Sequence, residues 1–412
     1  MTAEIAILNK TGVALATDSV ATVDIQGVKK FITVEKLFNI SENHPVGIMF
    51  YDNPDLTDIP CETIIKVYKT SLKDKYFDTL QEYADDFLSF LSKNRKVYNS
   101  GYEKRLVKSV LDYCLMENIP KQKSVHNRKE TLRKNVEENL KYFSSMRCLS
   151  GFNDNFVELF LETHGEYLKK YMNEIDNIRI DRKTQENIVL LCAHIISKSD
   201  CLFRSTKRPT NIVIAGYGNK EIFPSIIEYK ITGVISGTLI YELVTKVEVG
   251  LEESDVEATF IPFAQRDVVD TYTKGIDTEL ENTIFNKTDT IFNNFFEAIQ
   301  DAIQSESNAN LAHEFSSEEI DILKRLGKKL NKEIKDDFEL IQKEKYTKPF
   351  SDMVTFLGKE EMIFLAEALV NLTSTRRRFT TDLESVGGST DVVIITKVDG
   401  FKWVKKKTIF KT

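Results

Sequence analysis

Residues 1–19 of the chain, MTAEIAILNKTGVALATDS, are the stretch that decides the fold. Larger residues alternate with smaller or polar ones on either side of a glycine-containing turn at residues 9–12: Ile5, Ile7, Val13, Leu15 and Thr17. Such period-two patterning around a turn predicts an antiparallel β-hairpin. Thr2 precedes this hairpin and Asp18 ends it, so we expect the second strand to return Asp18 to the neighbourhood of residue 2.

The rest of the chain alternates between strand-rich and helical segments. Residues 1–70, 201–265 and 346–412 are rich in strand patterns and also contain amphipathic helices near Cys61 and from Lys359, and helical spacing of apolar residues fills residues 71–200 and 266–345. No internal repeat or flexible linker separates the segments. The sequence therefore predicts one α+β core over residues 1–412, interrupted by two large helical insertions.

Composition limits the class of protein. The chain has 412 residues, 42% of them apolar and 29% charged, which is typical of a globular protein. It has neither the apolar run that a membrane span needs nor a secretory signal, so we expect a cytoplasmic protein that does not bind membranes. A net charge of -7 argues against a general nucleic-acid binder.

Cysteine and histidine spacing gives no sign of a metal site or a disulfide framework. The five cysteines are scattered and never form a CxxC pair, which fits reduced, buried thiols. The five histidines lack HxxxH and HExxH spacing. We expect neither a metal nor a cofactor.

Three segments together resemble a known family. They are the opening residues 1–19, EKLFNI at 35–40 and ESVGGSTDVVIITKVDGFKWV at 384–404. In order and spacing they look like the N-terminal strands, the lysine strand and the C-terminal segment of proteasome β-subunits and their bacterial ring-protease relatives, which are N-terminal-nucleophile (Ntn) hydrolases. The resemblance covers about half the chain, and neither helical insertion takes part.

The resemblance implies a fold and an assembly. It implies a four-layer αββα Ntn-hydrolase sandwich, in which two stacked antiparallel sheets are covered by helices that begin near Cys61 and Lys359. It also implies a homo-oligomer that binds a peptide or protein substrate along a strand edge.

Three site residues follow from the resemblance at the start of the chain. Thr2 matches the nucleophile, which becomes the N-terminal residue after removal of Met1, and Asp18 follows sixteen positions later at the family's spacing. Lys36 matches the lysine, and Lys29 and Lys30 remain alternatives.

Two further matches lie near the C-terminus. Asp382 and Ser385 match an aspartate and a serine at DxxS spacing, with one extra residue before the glycines, and Glu384 is an alternative to the aspartate. The resemblance implies that these two fix the amine of residue 2 and relay its proton.

The residue types suit this chemistry independently of the resemblance. A threonine hydroxyl is a poor nucleophile until a base removes its proton, and an N-terminal amine, whose ordinary pKa is about 7.7 to 8.0, is a base close to working pH. An ammonium such as that of Lys36 favours the neutral amine and stabilises an alkoxide, and Asp18 holds that ammonium charged.

Substrate contacts are expected in two places. Gly216 lies in a strand that borders the substrate cleft in the family, and its backbone is expected to line that cleft. The family has an oxyanion glycine where this chain has Tyr51 and Asp52, so these two are expected to lie beside the substrate, and Asp52 there would oppose a developing oxyanion.

Three functions are compatible with the sequence. The first is a threonine-type hydrolase that cleaves peptide or amide bonds through an ester on Thr2. The second is a catalytically inactive binding or scaffold protein of the same fold, whose helical insertions recognise a partner. The third is a small-molecule amidase of the same fold class.

Overall fold

The structure is a computed structural model. It describes residues 2–25, 28–40, 44–94, 97, 100–118, 125–149, 151–152, 155–175, 180–198, 209–250, 256–306, 317–379 and 387–407. The predicted site residues Asp382 and Ser385, and the alternative Glu384, lie outside the described residues.

Strands come from the start, the middle and the end of the chain. They are β1 (Ala3–Asn9), β2 (Gly12–Thr17), β3 (Val20–Ile25), β4 (Val28–Thr33), β5 (Leu37–Asn39), β6 (Val46–Asp52), β7 (Asp55–Leu56), β8 (Ile59–Pro60), β9 (Thr210–Gly216), β10 (Ser225–Ile235), β11 (Thr238–Glu248), β12 (Ala258–Ala264), β13 (Asp391–Thr396) and β14 (Gly400–Lys405).

Helices lie in the two stretches that separate these groups of strands. They are α1 (Cys61–Leu72), α2 (Leu80–Lys93), α3 (Ser100–Asn118), α4 (Val125–Ser145), α5 (Phe156–Ile175), α6 (Arg182–Lys198), α7 (Asp267–Lys274), α8 (Thr278–Glu306), α9 (Ser317–Gln342), α10 (Lys348–Thr355) and α11 (Lys359–Arg378), with a π-helical turn at Lys343–Thr347 between α9 and α10.

Two five-stranded antiparallel sheets form the core. The first has the order β12-β1-β2-β13-β14 and the second has the order β11-β10-β9-β6-β5. In the first sheet, the predicted opening hairpin β1–β2 pairs Asn9 with Gly12 and Glu4 with Thr17. The closing strand β13 then pairs with β2, so the two ends of the chain meet in one sheet.

The sheets face each other and are covered by helices on their outer sides. Ala6 and Leu8 of β1 pack against Met49 and Val213 of the second sheet. Their neighbours on the opposite face of the first sheet pack against α11. The outer face of the second sheet packs against α1 and α2. The combination of helices with antiparallel sheets agrees with the α+β class expected from the sequence, and the four-layer Ntn-hydrolase sandwich stays a prediction.

The helical segments differ in what they pack against. Helix α2 falls in the predicted first insertion, yet it lies with α1 on the second sheet. Helices α3 to α6 bury a separate core, to which Ile235 and Ile240 at the β10–β11 turn also belong. Helices α8 and α9 form a long hairpin beyond α7. Within the described residues, no helix combines the length and apolarity that crossing a bilayer requires.

Candidate functional site

The β1–β2 hairpin brings Thr2 and Asp18 together. The backbone N–H of Asp18 donates to the carbonyl of Ala3 at 3.0 Å, and the N–H of Ala3 donates to Oδ1 of Asp18 at 3.1 Å. The carboxylate of Asp18 therefore lies beside the peptide unit that joins Thr2 to Ala3. This is the position that the sixteen-residue spacing predicts.

Lys36 reaches the same carboxylate from the second sheet. It directly precedes β5, and its carbonyl accepts a hydrogen bond from the N–H of Phe50 in β6 at 3.0 Å. Its Nζ lies 2.5 Å from Oδ1 of Asp18, so this oxygen accepts from both Lys36 and Ala3. The Lys36 side chain is 1% exposed, so the ion pair is buried between the sheets. Lys29 and Lys30, the alternatives to Lys36, lie in β4, and their side chains are outside the described part of the structure.

A second carboxylate that the sequence analysis missed also contacts Lys36. Oε1 of Glu4 lies 3.1 Å from Nζ of Lys36 and accepts from the hydroxyl of Thr17 at 3.3 Å. Glu4 lies between Ala3 and Ile5, which face the helix layer, so alternation along β1 directs Glu4 into the space between the sheets. That alternation was visible in the sequence. What was not visible is that both faces of this strand are covered.

Burial raises the pKa of Glu4 to about 7, against the lowering effect of Lys36. Two carboxylates share one ammonium here, and Asp18 adds to the cost of ionising Glu4. The Glu4 carboxyl therefore changes its protonation state near neutral pH.

Thr2 is buried at the start of β1, with 2% of its surface exposed. Its carbonyl accepts from the N–H of Gln265 at 3.3 Å, which continues the pairing of β1 with β12. Its hydroxyl lies close enough to the Glu4 carboxyl to lower the pKa of Glu4, but the geometry between them does not reach that of a normal hydrogen bond, and no other described residue is a partner of this hydroxyl. Oε2 of Glu4 likewise has no hydrogen-bond partner among them. Two polar atoms of the site thus have unused hydrogen-bonding capacity.

The closing segment also reaches this centre. The N–H of Gly387 donates to Oδ2 of Asp18 at 3.0 Å, and the hydroxyl of Ser19 donates to the carbonyl of Ser389. Gly387, the first described residue of the closing segment, therefore contacts Asp18, and Asp382 and Ser385 lie outside the described residues. Ser19 and Ser389 were not identified from the sequence.

Charged residues around the site fix the chain next to Lys36. Glu35 is held by Lys406 at 2.8 Å and by Lys66 at 3.3 Å. Lys407 donates from Nζ to the carbonyl of Val34 and from its backbone N–H to Asp391 at 2.7 Å. The end of β14 thus holds the segment that positions Lys36.

Tyr51, expected beside the substrate, is 8% exposed and lies between the sheets. Its ring packs on Phe263, the cross-strand neighbour of Glu4, at 5.6 Å, and its hydroxyl donates to Glu228. Burial raises the pKa of Tyr51. Tyr51 therefore borders the same interior space as Glu4, and its contact with a substrate stays a prediction.

Asp52 and Gly216 have structural roles of their own. Asp52 has a φ of 70° and accepts from Nδ2 of Asn211 at 2.7 Å. Gly216 has a φ of 135°, and a Cβ there would lie 1.9 Å from the carbonyl oxygen of Pro45. Close backbone packing explains the glycine, and its role as a wall for substrate remains a prediction, as does that of Asp52.

Among the described residues, no three histidine, cysteine, aspartate or glutamate side chains come together in a way that could hold a metal ion.

Comparison with known proteins does not assign this chain to a family. No protein-family model matches the sequence, and no curated protein matches it either. Among solved structures, the chain is similar to "Helical Assembly of the Anbu Complex from Pseudomonas aeruginosa", with 9% sequence identity and a TM-score of 0.21, over 82% of this chain and 95% of that one. At that TM-score the likeness is weak and carries no argument about what this chain does.

Proposed function

We propose that this chain is an Ntn-type hydrolase that cleaves peptide or amide bonds, with Thr2 as the nucleophile once Met1 is removed. The observation that carries the proposal is the buried ion pair of Lys36 with Asp18, whose Oδ1 also accepts from the amide next to Thr2. A buried lysine held between carboxylates beside the residue that would become the N-terminus is the arrangement that this chemistry needs.

The first half of the reaction forms an ester on Thr2. Its Oγ attacks the carbonyl carbon of the substrate while the α-amine of Thr2 takes the hydroxyl proton. The C–N bond of the substrate then breaks, and the same proton passes to the leaving amine. Lys36 stabilises the alkoxide character of Oγ, and Asp18 keeps Lys36 charged.

Water completes the cycle. The α-amine takes a proton from a water molecule whose oxygen attacks the ester carbon. The carboxylic acid leaves, and Oγ of Thr2 recovers its proton. The oxyanion in both halves requires an N–H donor.

Glu4 would stabilise the charged form of the α-amine of a free Thr2, beside Lys36 and Asp18. With Lys36 and Asp18 forming one pair, the Glu4 carboxylate is the negative group that would balance the ammonium on a free Thr2. Its Oε2, which has no partner among the described residues, is available for that contact. Ionised Glu4 would favour the charged amine and oppose the neutral form that acts as the base.

Burial of the nucleophile supports the second candidate, a binding or scaffold protein that has the fold without the activity. Thr2, Asp18 and Lys36 are each no more than 2% exposed. If Met1 is not removed, no free amine forms on Thr2.

Labelling with a peptide epoxyketone tests the proposal, because this electrophile bridges the hydroxyl and the amine of an N-terminal threonine. We expect intact mass spectrometry to show loss of Met1 and a covalent adduct on the wild-type protein. Thr2→Ala should abolish the adduct, and Lys36→Ala should nearly abolish it.

Two exposed residues provide matched controls. Thr11→Ala in the hairpin turn and Lys10→Ala beside it should label like the wild type, since both positions are exposed. Retained Met1, or equal labelling of the wild type and Thr2→Ala, would exclude the mechanism and leave the scaffold function.

A further inference from the structure

The α8–α9 hairpin packs through a narrow seam. Phe285 of α8 contacts Phe338 of α9 with ring centroids 5.4 Å apart. Further along α8, Asp289 forms an ion pair with Lys335 at 3.0 Å and accepts from Asn331. Contacts that advance along α8 move back along α9, so the two helices are antiparallel.

Each helix also carries an apolar stripe whose side chains are between 39% and 63% exposed among the described residues. We call seven residues of these stripes the hairpin face: Leu280, Ile284 and Ile291 on α8, and Ile322, Leu326, Leu330 and Ile334 on α9. At 100° per residue, these positions span about 40° of α8 and about 120° of α9, so each stripe is continuous along its helix.

Helical geometry places both stripes on one side of the hairpin. On each helix, the half-buried residues of the seam lie roughly 100° around the helix axis from the stripe, counted in the direction in which the chain winds from its N-terminus to its C-terminus. The seams of the two helices face each other. Because the helices are antiparallel, the same rotation from seam to stripe on each helix places both stripes on the same side of the plane that contains the two axes. The hairpin face is therefore one apolar surface formed by two helices.

Between residues 324 and 339, the exposed charges of α9 are arranged in two blocks, which follow the acidic residues Glu318 and Asp321 at the start of the helix. The first block is basic and exposed: Lys324, Arg325, Lys328, Lys329 and Lys332. The second block is acidic and exposed: Glu333, Asp336, Asp337 and Glu339. A helix with this order of charges complements itself when a second copy lies antiparallel to it.

We propose that the hairpin face is the interface with a second copy of this chain. A two-fold axis near Leu330 would pack α9 against the same helix of the partner. It would bring Arg325 opposite the partner's Asp336 and Lys329 opposite the partner's Glu333, and it would bury the leucines and isoleucines at the centre.

The charge of the surface fits this occupant. A lipid surface would favour a uniformly basic border around the apolar residues. The acidic block of α9 disfavours that alternative.

Sedimentation velocity of the full chain at micromolar concentration tests the proposal. We expect the wild type to sediment as a dimer or as an assembly built from dimers. Leu326→Asp with Leu330→Asp should raise the Kd of the dimer at least about 100-fold, because two charges would be buried in the apolar interface. Met116→Asp on α3 is the matched control, since Met116 is a 74% exposed apolar helical residue outside the hairpin, and it should leave the assembly unchanged.

A charge exchange tests the two-fold arrangement itself. Arg325→Glu with Lys329→Glu should dissociate the dimer, and adding Glu333→Lys with Asp336→Lys should restore it, because the complementary pairs return with reversed sign. Circular dichroism of each variant checks that its helices are retained. A monomeric wild type, dimers that survive the aspartate variant, or failure of the four-residue exchange to restore association would each overturn the proposal. None of these outcomes depends on catalysis by Thr2.

Discussion

At the candidate site, one buried ammonium group contacts two buried carboxyl groups. Lys36 lies 2.5 Å from Asp18 and 3.1 Å from Glu4, and all three are buried. Spacing along the opening hairpin was enough to predict that Asp18 comes near Thr2. Glu4 was missed because an acidic residue in a strand is normally expected to face water. Whether it faces water depends on the second sheet, which is formed by other parts of the chain.

Replacing Glu4 tests the pKa that the geometry gives it. Burial raises this pKa from 4.5 to about 7, so the folded protein holds a proton that the unfolded chain has lost. The resulting stabilisation is complete below about pH 4.5 and is lost as the pH rises through about 7. The free energy of unfolding of the wild type should therefore fall relative to that of Glu4→Gln between pH 5 and pH 8, measured by urea denaturation.

Glu166→Gln is the control for this series, because that side chain is 92% exposed on α5. The difference in the free energy of unfolding between Glu166→Gln and the wild type should be nearly constant between pH 5 and pH 8. Parallel pH profiles of the wild type and Glu4→Gln would show that folding does not raise the pKa of Glu4.

At the scale of elements, the strands were the most predictable part. The opening hairpin, the buried strand after residue 45 and the closing hairpin lie where alternation and turn residues predicted them. Helix α2 shows what a local sequence pattern does not determine. Its apolar stripe predicts a helix but does not say whether that stripe packs on a sheet or on other helices, and it packs on the second sheet.

Glycine substitutions at two elements separate steric clash from backbone strain. Gly216→Ala should lower the free energy of unfolding by about 3 kcal/mol or more, because the new Cβ meets the carbonyl of Pro45 and the φ of 135° is unfavourable. Gly237→Ala in the β10–β11 turn also has a positive φ but has open space around it, so it should cost only about 1 kcal/mol. Equal costs in urea denaturation would contradict the close packing of β9 against Pro45.

At the scale of the whole molecule, stability comes from covering both faces of each sheet. Residues of β1 and β2 alternate between the layer shared by the sheets and the layer under α11. The site lies in the layer between the sheets, so the packing that stabilises the core also excludes water from Lys36 and its partners.

Truncation of a side chain between the sheets tests how well this layer is packed. Leu15→Ala should lower the free energy of unfolding by about 2 to 5 kcal/mol, because Leu15 is fully buried between the sheets and its loss leaves a cavity. Val398→Ala, at a position 93% exposed, should stay within about 0.5 kcal/mol of the wild type. Thermal and urea denaturation measure the change in the free energy of unfolding for each variant. A small effect at Leu15 would mean that the sheets are not closely packed there.

The sequence by itself determined the α+β class, the hairpins at both ends of the chain and the proximity of Asp18 to Thr2, because each of these follows from local periodicity, turn residues and spacing within one hairpin. Only the tertiary structure decided that Lys36 and Glu4 meet Asp18 in a dry interior, and that the apolar residues of α8 and α9 share one surface. These features join residues from different sheets or from two separate helices, and no local pattern records which faces become covered when distant segments pack together.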